Sequence, residues 1–186
     1  MLSNEDIKKA IEAGELVIDP SPKNLYEAAG VNLHLGANIL KPLPGVTVDI
    51  KTGALPEYEA YTITADEPYQ LDPQEFILGH TYENVTVGAQ IGFFIEGRST
   101  LARLGLTVVK TAMLVQPGHT DRTITLELAN HGPNPILLYP KMKIAKAAIF
   151  RLSSPSTLLY DDRGGKYKDQ HSVGRPILRN EFLTED

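Results

Sequence analysis

Turn-forming residues divide this sequence into many short segments. It contains 13 prolines and 15 glycines, and several of them stand together, as at residues 42–45, 117–118 and 132–135. Between the turns, apolar residues recur at every second position in three runs: Val31, Leu33 and Leu35; Val46, Val48 and Ile50; and Ile124, Leu126 and Leu128. This period is typical of strands with one buried face. Many short strands joined by turns indicate a mainly β fold, either a barrel or a jelly roll.

The N-terminal segment predicts one short amphipathic helix. Ser3 is a good N-cap residue, Asp6 would occupy the third helical position, and Gly14 supplies a stop signal. Leu2 precedes the cap and would face Ile7, as in a hydrophobic staple. We therefore expect the fold to open with a helix and to continue with strands.

Length and composition fit a single domain spanning residues 1–186. The hydrophobic fraction of 42% and the charged fraction of 22% are close to the averages of folded proteins, and a chain of this length can bury a core without a second domain. Residues 161–186 differ from the rest because they are polar and rich in turn formers, without an apolar period. We expect this C-terminal tail to be either disordered or a lid.

Charge and hydropathy argue against two classes of partner. A formal net charge of -5 opposes broad electrostatic adhesion to nucleic acid or acidic lipid, although a local basic pocket remains compatible with it. The opening MLSNEDIKKAIEAG is acidic and helical where a secretion signal would be basic and then apolar, and no apolar run reaches membrane-spanning length. We therefore expect a cytoplasmic protein with no nucleic-acid or membrane partner.

Residues 97–105 read Gly-Arg-Ser-Thr-Leu-Ala-Arg-Leu-Gly and predict a helix of barely two turns. Ser99 is a good N-cap and Gly105 a good stop. The free amides at the helix start, the hydroxyls of Ser99 and Thr100, and Arg103 one turn later make a compact anion cradle that suits phosphate. A capped surface helix with solvated arginines fits the same local pattern equally well, so the pattern leaves both interpretations open.

A second candidate lies in the run Thr-Ile-Thr-Leu-Glu-Leu at residues 123–128. Because side chains alternate across a strand, Thr123, Thr125 and Glu127 share the face opposite the apolar residues. Glutamate is mostly exposed in folded proteins. Periodicity alone therefore favours a solvated surface glutamate over a functional one.

The order of several motifs is more specific than any one of them. The chain reads EGRSTLARLGL, TA, PG, ITLELAN, PI, KMKI, LSSPS and KYKDQ in that order, after the opening MLSNEDIKKAIEAGELVIDP. Together these segments resemble the dCTP deaminase family, whose fold is shared with dUTPases. The resemblance covers nearly the whole chain and is weakest at residues 45–69. It implies a dUTPase-like distorted β-barrel or jelly roll that assembles as a homotrimer.

The resemblance also implies site residues for a pyrimidine deoxynucleoside triphosphate. In that family the short arginine-serine helix enters a neighbouring subunit's site and grips the triphosphate, and the C-terminal segment closes over the nucleotide. The positions of this sequence that match the helix and the closing segment are Arg98, Ser99, Thr100, Arg103, Tyr160, Lys166 and Gln170. The base pocket would be formed by Thr111, Ala112 and Gln116.

Glu127 matches the family's general base, which activates a water for attack on C4 of cytosine before ammonia leaves. The chain has no cysteine, which excludes the zinc deaminase signature with its paired cysteines. The five histidines show no close metal-ligand spacing and are expected to be surface or hydrogen-bonded residues: His34, His80, His119, His131 and His171. We expect Mg²⁺ to arrive bound to the triphosphate, with no direct protein ligand and no zinc.

Several positions depart from the family's usual pattern. Asn32 stands where aspartate is normal, His34 where arginine is frequent, and Gln116 where the dUTPase branch has an aspartate. An extra residue lies around Asp121-Arg122, Lys110 lies in a segment that lines the base pocket, and Ala145-Lys146 replaces a Gly-Gln pair.

These departures bear on the reaction. Hydrolysis of the triphosphate to a monophosphate needs a carboxylate at position 116, whereas deamination can rest on Glu127. We therefore expect conversion of dCTP to dUTP and ammonia. The alternatives are a bifunctional enzyme that yields dUMP and a catalytically silent nucleotide-binding regulatory protein.

Overall fold

The computed structural model describes residues 1–21, 27–179 and 181–182. These residues form two helices, α1 (Asn4–Glu12) and α2 (Ser99–Ala102), and thirteen strands. The strands are β1 (Leu16–Asp19), β2 (Val31–His34), β3 (Asn38–Pro42), β4 (Tyr58–Thr62), β5 (Tyr69–Leu71), β6 (Phe76–His80), β7 (Asn84–Val87), β8 (Ile91–Gly97), β9 (Leu106–Thr107), β10 (Leu114–Val115), β11 (Thr125–Asn130), β12 (Ile136–Leu138) and β13 (Lys143–Arg151). The expected mainly β architecture is confirmed.

The strands pair in antiparallel fashion in two larger and two smaller sheets. The five-stranded sheet has the order β4-β3-β6-β11-β9, and the four-stranded sheet has the order β10-β8-β13-β2. Strand β1 pairs with β7, and β12 pairs with β5. One continuous cluster of buried apolar side chains joins the two larger sheets, with Leu126 and Ile77 from the first and Leu33 and Phe93 from the second. Each larger sheet therefore has one face in a shared core.

The N-terminal helix forms as the sequence predicts. The Ser3 hydroxyl accepts a hydrogen bond from the amide of Asp6 at 3.3 Å, Ile7 is fully buried, and Leu2 packs against the core. Gly14 adopts a φ of 70° just beyond the helix. A cap, a staple and a glycine stop thus define the helix that sequence alone could locate.

Two of the three runs with alternating apolar residues form core strands. Val31, Leu33 and Leu35 are fully buried in and beside β2, and Leu126 and Leu128 are fully buried in β11. Ile124, which begins the third run, lies just before β11 and is only partly buried. Alternation therefore identified the inward face of both strands.

The run Val46, Val48 and Ile50 was wrongly predicted to be a strand. All three lie in a loop, with 48%, 53% and 53% of their surface exposed. The reason is local, because prolines and a glycine precede the run and the side chain of Asp49 accepts hydrogen bonds from the amides of Lys51 and Thr52 at 2.8 and 3.3 Å. A side chain that binds the following amides favours a turn over a strand.

Strand β11 occupies an inner position in the five-stranded sheet. It pairs with β6 along most of its length, with Thr125 opposite His80 and Glu127 opposite Leu78, and with β9 at its far end. A strand held on both sides gives its side chains fixed directions. The position of Glu127 is therefore set by the sheet.

In the described ranges, no helix has the length and apolar character needed to cross a membrane.

Candidate active site

A cavity of about 460 Å³ lies against one face of the five-stranded sheet. Its walls come from β6, from β11 and the residues before it, from the segment 112–119, and from the C-terminal part of the chain. The lining residues are Tyr58, Phe76, Leu78, Ala112, Leu114, Val115, Gln116, His119, Thr123, Ile124, Thr125, Glu127, Tyr160, Tyr167, Gln170, Gly174 and Pro176. We call this space the Glu127 cavity.

Glu127 is the only carboxylate among the described residues that line this cavity. Its Oε2 accepts a hydrogen bond from the backbone amide of Lys110 at 3.2 Å. Burial raises the pKa of Glu127, and the hydrogen bond from Lys110 opposes the rise only in part. A half-buried carboxylate with a raised pKa can take a proton from water and return it. Glu127 therefore faces a cavity and not open solvent.

Thr125 and Glu127 lie on the cavity side of β11, as the alternating pattern predicts. Just before the strand, where the alternation is not kept, both Thr123 and Ile124 line the cavity. The hydroxyl of Thr125 accepts hydrogen bonds from the Gln170 side chain at 2.7 Å and from the Gly174 amide at 3.3 Å. The hydroxyl of Thr123 is buried and has no hydrogen-bond partner within the described ranges. The polar face of the strand thus contacts the C-terminal tail on one side of Glu127.

The described part of the C-terminal tail lies across the Glu127 cavity. Tyr160 and Gln170 line it, as do Tyr167 and two further tail residues. Lys166 is placed differently from the expectation, because its ammonium group pairs with the carboxylate of Glu181 and does not line the cavity. The described part of the tail therefore packs against the cavity.

The three residues expected in a base pocket divide into two groups. Ala112 and Gln116 line the cavity, whereas Thr111 is exposed and lies outside the lining. The side-chain oxygen of Gln116 accepts a hydrogen bond from the Arg163 guanidinium at 2.7 Å. The amide at position 116 therefore binds a cation of the tail.

The short helix α2 begins one residue earlier than predicted, so the expectation that Ser99 is its N-cap is wrong. Arg98 is the N-cap, with extended backbone angles and no capping bond from its side chain, and Ser99 is the first helical residue. Strand β8 runs to Gly97, and the chain stays extended through Arg98 before it turns. The helix has a single turn, and Gly105 follows it with a φ of 94°.

Within one chain, α2 does not reach the Glu127 cavity. Ser99 lines a separate surface cavity of about 370 Å³ with residues of β8 and β9. Thr100 and Arg103 are exposed, and Arg98 is partly buried, with none of the three lining either cavity. The predicted phosphate-binding residues therefore form a surface group apart from the carboxylate.

Two of the departures from the family pattern lie next to Arg98. The Arg98 guanidinium donates a hydrogen bond to the side-chain oxygen of Asn32, and the Asn32 amide group donates to Glu27 at 3.0 Å. Lys146, the cross-strand neighbour of Asn32, pairs with the same Glu27 carboxylate. Glu27 supplies the negative charge that an aspartate at position 32 would have carried, and Lys146 balances it. The sequence could not show this because Arg98 is 66 positions from Asn32 and Lys146 is 119 positions from Glu27.

Several further lining residues were not identified from the sequence, among them Tyr58, Phe76 and His119. Tyr58 lies where the family resemblance is weakest, and Phe76 has no motif around it. His119 was placed among the surface or hydrogen-bonded histidines; its Nε2 lies 3.3 Å from the carbonyl oxygen of Arg122, and burial and the nearby Arg122 charge lower its pKa. The adjacent Pro-Gly turn is the only local signal that could have drawn attention to it.

In the described part of the chain, no three His, Asp or Glu side chains cluster in a way that could hold a metal ion.

Comparisons with known proteins agree with this architecture. A family model described as dCTP deaminase-like matches residues 1–152. A protein of Dictyoglomus thermophilum named dCTP deaminase, dUMP-forming is 39% identical over 192 residues, which cover 100% of this chain and 98% of that protein. Proteins with the same name from Methanosphaera stadtmanae and Corynebacterium jeikeium are 35% and 37% identical; they cover 98% and 91% of this chain and 95% and 92% of their own.

Solved structures support the fold. A 2'-deoxycytidine 5'-triphosphate deaminase from Agrobacterium tumefaciens superposes with a TM-score of 0.61 at 16% identity, covering 82% of this chain and 47% of that longer chain. The EIAV dUTPase superposes with a TM-score of 0.50 at 17% identity, covering 79% of this chain and 97% of its own. The dUTPase-like fold expected from the sequence is confirmed, and the chain belongs to the dCTP deaminase-like family.

Proposed function

We propose that this chain catalyses the zinc-independent hydrolytic deamination of dCTP, with Glu127 as the general base. The observation that carries the proposal is the place of Glu127, the single carboxylate among the described lining residues of a largely apolar cavity. Its pKa is raised by burial, which suits a group that must both accept and donate a proton. Relatives named dCTP deaminase support the same chemistry.

The proposed reaction balances with one carboxylate. Glu127 takes a proton from a water as the water oxygen bonds to C4 of cytosine, and the electron pair of the N3–C4 double bond moves onto N3. The hydroxyl proton of the tetrahedral centre later passes to N3, which gives the uracil base. The proton held by Glu127 passes to the departing nitrogen, so the C4–N4 bond breaks with release of ammonia. The buried side of the cavity keeps other water away and strengthens these electrostatic contacts.

Triphosphate binding is proposed to require a second subunit. Arg98, Ser99, Thr100 and Arg103 lie outside the Glu127 cavity of their own chain, so they would serve the site of a neighbour in a homotrimer. Tyr160 and Gln170 would contact the nucleotide from the same chain, and Lys166 would do so by exchanging Glu181 for a phosphate. Mg²⁺ would be held by the phosphates, as is usual for this ion. In this proposal residues 1–186 act as one domain, and residues 161–186 close over its nucleotide site.

For the end product we propose dUMP in place of the dUTP expected from the sequence. The observation that favours it is the shared name of the curated relatives, which are dUMP-forming. Gln116 cannot act as a base, and Glu127 is the only carboxylate that the described lining offers to a second hydrolytic step. In that step a water would bond to the α-phosphorus of dUTP as its bond to the leaving pyrophosphate breaks, which releases dUMP. Formation of dUMP from dCTP would depend on Glu127 in any case, because deamination must first supply dUTP.

Chromatography of dCTP, dUTP, dTTP and CTP after incubation with the protein and Mg²⁺ tests these proposals. We expect ammonia and dUMP from dCTP. Glu127→Gln should lower the rate by about 10²- to 10⁴-fold, the usual contribution of general acid–base catalysis, while leaving nucleotide binding nearly intact. Glu12→Gln, at an exposed position of α1, is the matched control and should be fully active.

The possible outcomes distinguish between the proposed reaction and its alternatives. Accumulation of dUTP without pyrophosphate would exclude dUMP formation. Full turnover by the Glu127→Gln variant would exclude the assigned base. Calorimetric binding of a pyrimidine triphosphate by the unmodified protein, without any product over hours, would instead identify a silent regulatory protein.

A further inference from the structure

Arg122 is a buried cation whose described side-chain hydrogen bonds all lead to the C-terminal part of the chain. Only 3% of the residue is exposed. Its two terminal nitrogens donate to the two carboxylate oxygens of Asp161 at 3.0 and 2.8 Å, and one of them also donates to the carbonyl oxygen of Lys168 at 2.6 Å. The remaining Nε has no hydrogen-bond partner among the residues that the structure describes. A guanidinium is stable in such a place only while it stays paired.

The backbone that carries Arg122 is fixed to the body of the fold. The Val85 amide donates to the Arg122 carbonyl at 2.8 Å, and the two residues form an antiparallel bridge beside β7. Asp121 adopts a φ of 45°, and its amide donates to the Thr86 hydroxyl at 2.9 Å. This anchored turn presents the Arg122 guanidinium to the tail.

The two positions bound by Arg122 lie next to residues that line the cavity. Asp161 directly follows Tyr160, and Lys168 lies two residues before Gln170; both Tyr160 and Gln170 line the Glu127 cavity. The Arg122 guanidinium also lies 5.8 Å from the centre of the Tyr160 ring. A single side chain therefore holds both ends of the segment 160–170.

We propose that Arg122 is a positioning residue that holds residues 160–170 over the Glu127 cavity and so sets the affinity for the nucleotide. The bidentate pair with Asp161 fixes the direction of Tyr160, and the bond to the Lys168 carbonyl fixes the start of the turn that carries Gln170. The catalytic consequence rests on the proposed function, because it assumes that nucleotide binds in this cavity. The structural consequence, a closed tail, does not.

Hydrogen exchange and steady-state kinetics on the full-length protein test the proposal. We expect Arg122→Met and Asp161→Ala each to speed amide exchange in residues 160–179 without nucleotide, and to raise the KM for dCTP at least about fivefold, with a smaller change in kcat. Arg122→Lys keeps the charge but loses the bidentate geometry, so its affinity for dCTP should lie between those of Arg122→Met and the unmodified protein. Arg151→Met, which breaks an exposed ion pair with Glu15, is the control and should leave both measurements unchanged.

The double variant Arg122→Met/Asp161→Ala should be little worse than the more damaged single variant, since both changes break the same contact. Additive effects would show that the two residues act separately and would overturn the proposal. The proposal would also be overturned if amide exchange in residues 160–179 were unchanged in both single variants. Amide exchange that became equally faster in β6 and β11 would overturn it as well. If Arg122→Met does not fold, Asp161→Ala carries the test from the tail side. A protein without deaminase activity still gives the exchange result, so failure of the proposed function is recognised separately.

Discussion

Glu127 carries its ionisable group at a position where solvation favours the neutral acid. Burial raises its pKa above the 4.5 of an ordinary glutamate, and one amide hydrogen bond only partly offsets this. A group whose folded-state pKa is raised destabilises the fold once it ionises, because the unfolded chain releases the proton more readily. The stability associated with neutral Glu127 is present below pH 4.5 and is lost as the pH rises through the folded-state pKa. The raised pKa that suits Glu127 to proton transfer thus lowers the stability of the folded protein at neutral pH.

The Glu127→Gln variant is therefore expected to be more stable than the unmodified protein at pH 7, by a larger margin than at pH 4. The glutamine keeps the shape of the neutral acid but cannot ionise, so the gain over the unmodified protein should grow as the pH rises from 4 to 7. Thermal denaturation of both proteins at several pH values measures this difference. Glu12→Gln, at an exposed site, should show no such growth. A constant difference between the unmodified protein and the Glu127→Gln variant would contradict a raised pKa.

At the scale of elements, the tail meets the body of the fold at a tight turn. Gly118 adopts a φ of 83°, and a Cβ added there would lie 2.6 Å from the Leu159 Cβ and 2.7 Å from the Tyr160 amide nitrogen. The Tyr160 amide also donates to the Pro117 carbonyl at 2.9 Å. The start of the tail can therefore lie in this place only because residue 118 has no side chain.

Gly118→Ala is expected to raise the KM for dCTP by moving Tyr160, whereas Gly164→Ala should not. Both glycines have positive φ, and alanine there costs about 1–2 kcal/mol in either case. A Cβ at Gly164 would meet nothing within 4 Å, so the two variants share the backbone strain and differ in the clash. Kinetics with dCTP and thermal denaturation separate the effects. Equal KM values for the two alanine variants would show that the position of Tyr160 does not matter for binding.

The elements differ in how far sequence could predict them. Helix α1 and strands β2 and β11 were identified because caps, stops and alternation are local signals. The loop with Val46 and Ile50 has the same alternation, but the Asp49 side chain binds the amides of Lys51 and Thr52 and favours a turn. Likewise, the direction of Glu127 followed from a period of two, but the cavity it faces depends on a tail more than thirty residues further along the chain. Arg122 and Asp161 are 39 positions apart, and no local pattern links them.

At the scale of the whole molecule, the predicted site is split between two surfaces of one chain. The Glu127 cavity holds the carboxylate and the tail, and α2 carries Ser99 and Arg103 on a separate surface. Closed rotational symmetry would bring the α2 of one chain to the cavity of the next and would repeat the same contact around the ring. Such an arrangement explains how a helix of one turn, too short to be stable by itself, could hold a fixed geometry.

Mixed oligomers test whether each site combines two chains. Glu127→Gln and Arg103→Ala should each be nearly inactive alone. When equal amounts are refolded together, about a quarter of the sites in randomly assembled rings should pair an intact Glu127 with an intact Arg103 from the neighbour, so about a quarter of the original activity should return. Mixtures of Glu127→Gln with the double variant Glu127→Gln/Arg103→Ala contain no intact Glu127 and should stay inactive. Activity no greater than the sum of the separate variants would mean that each site is built within one chain.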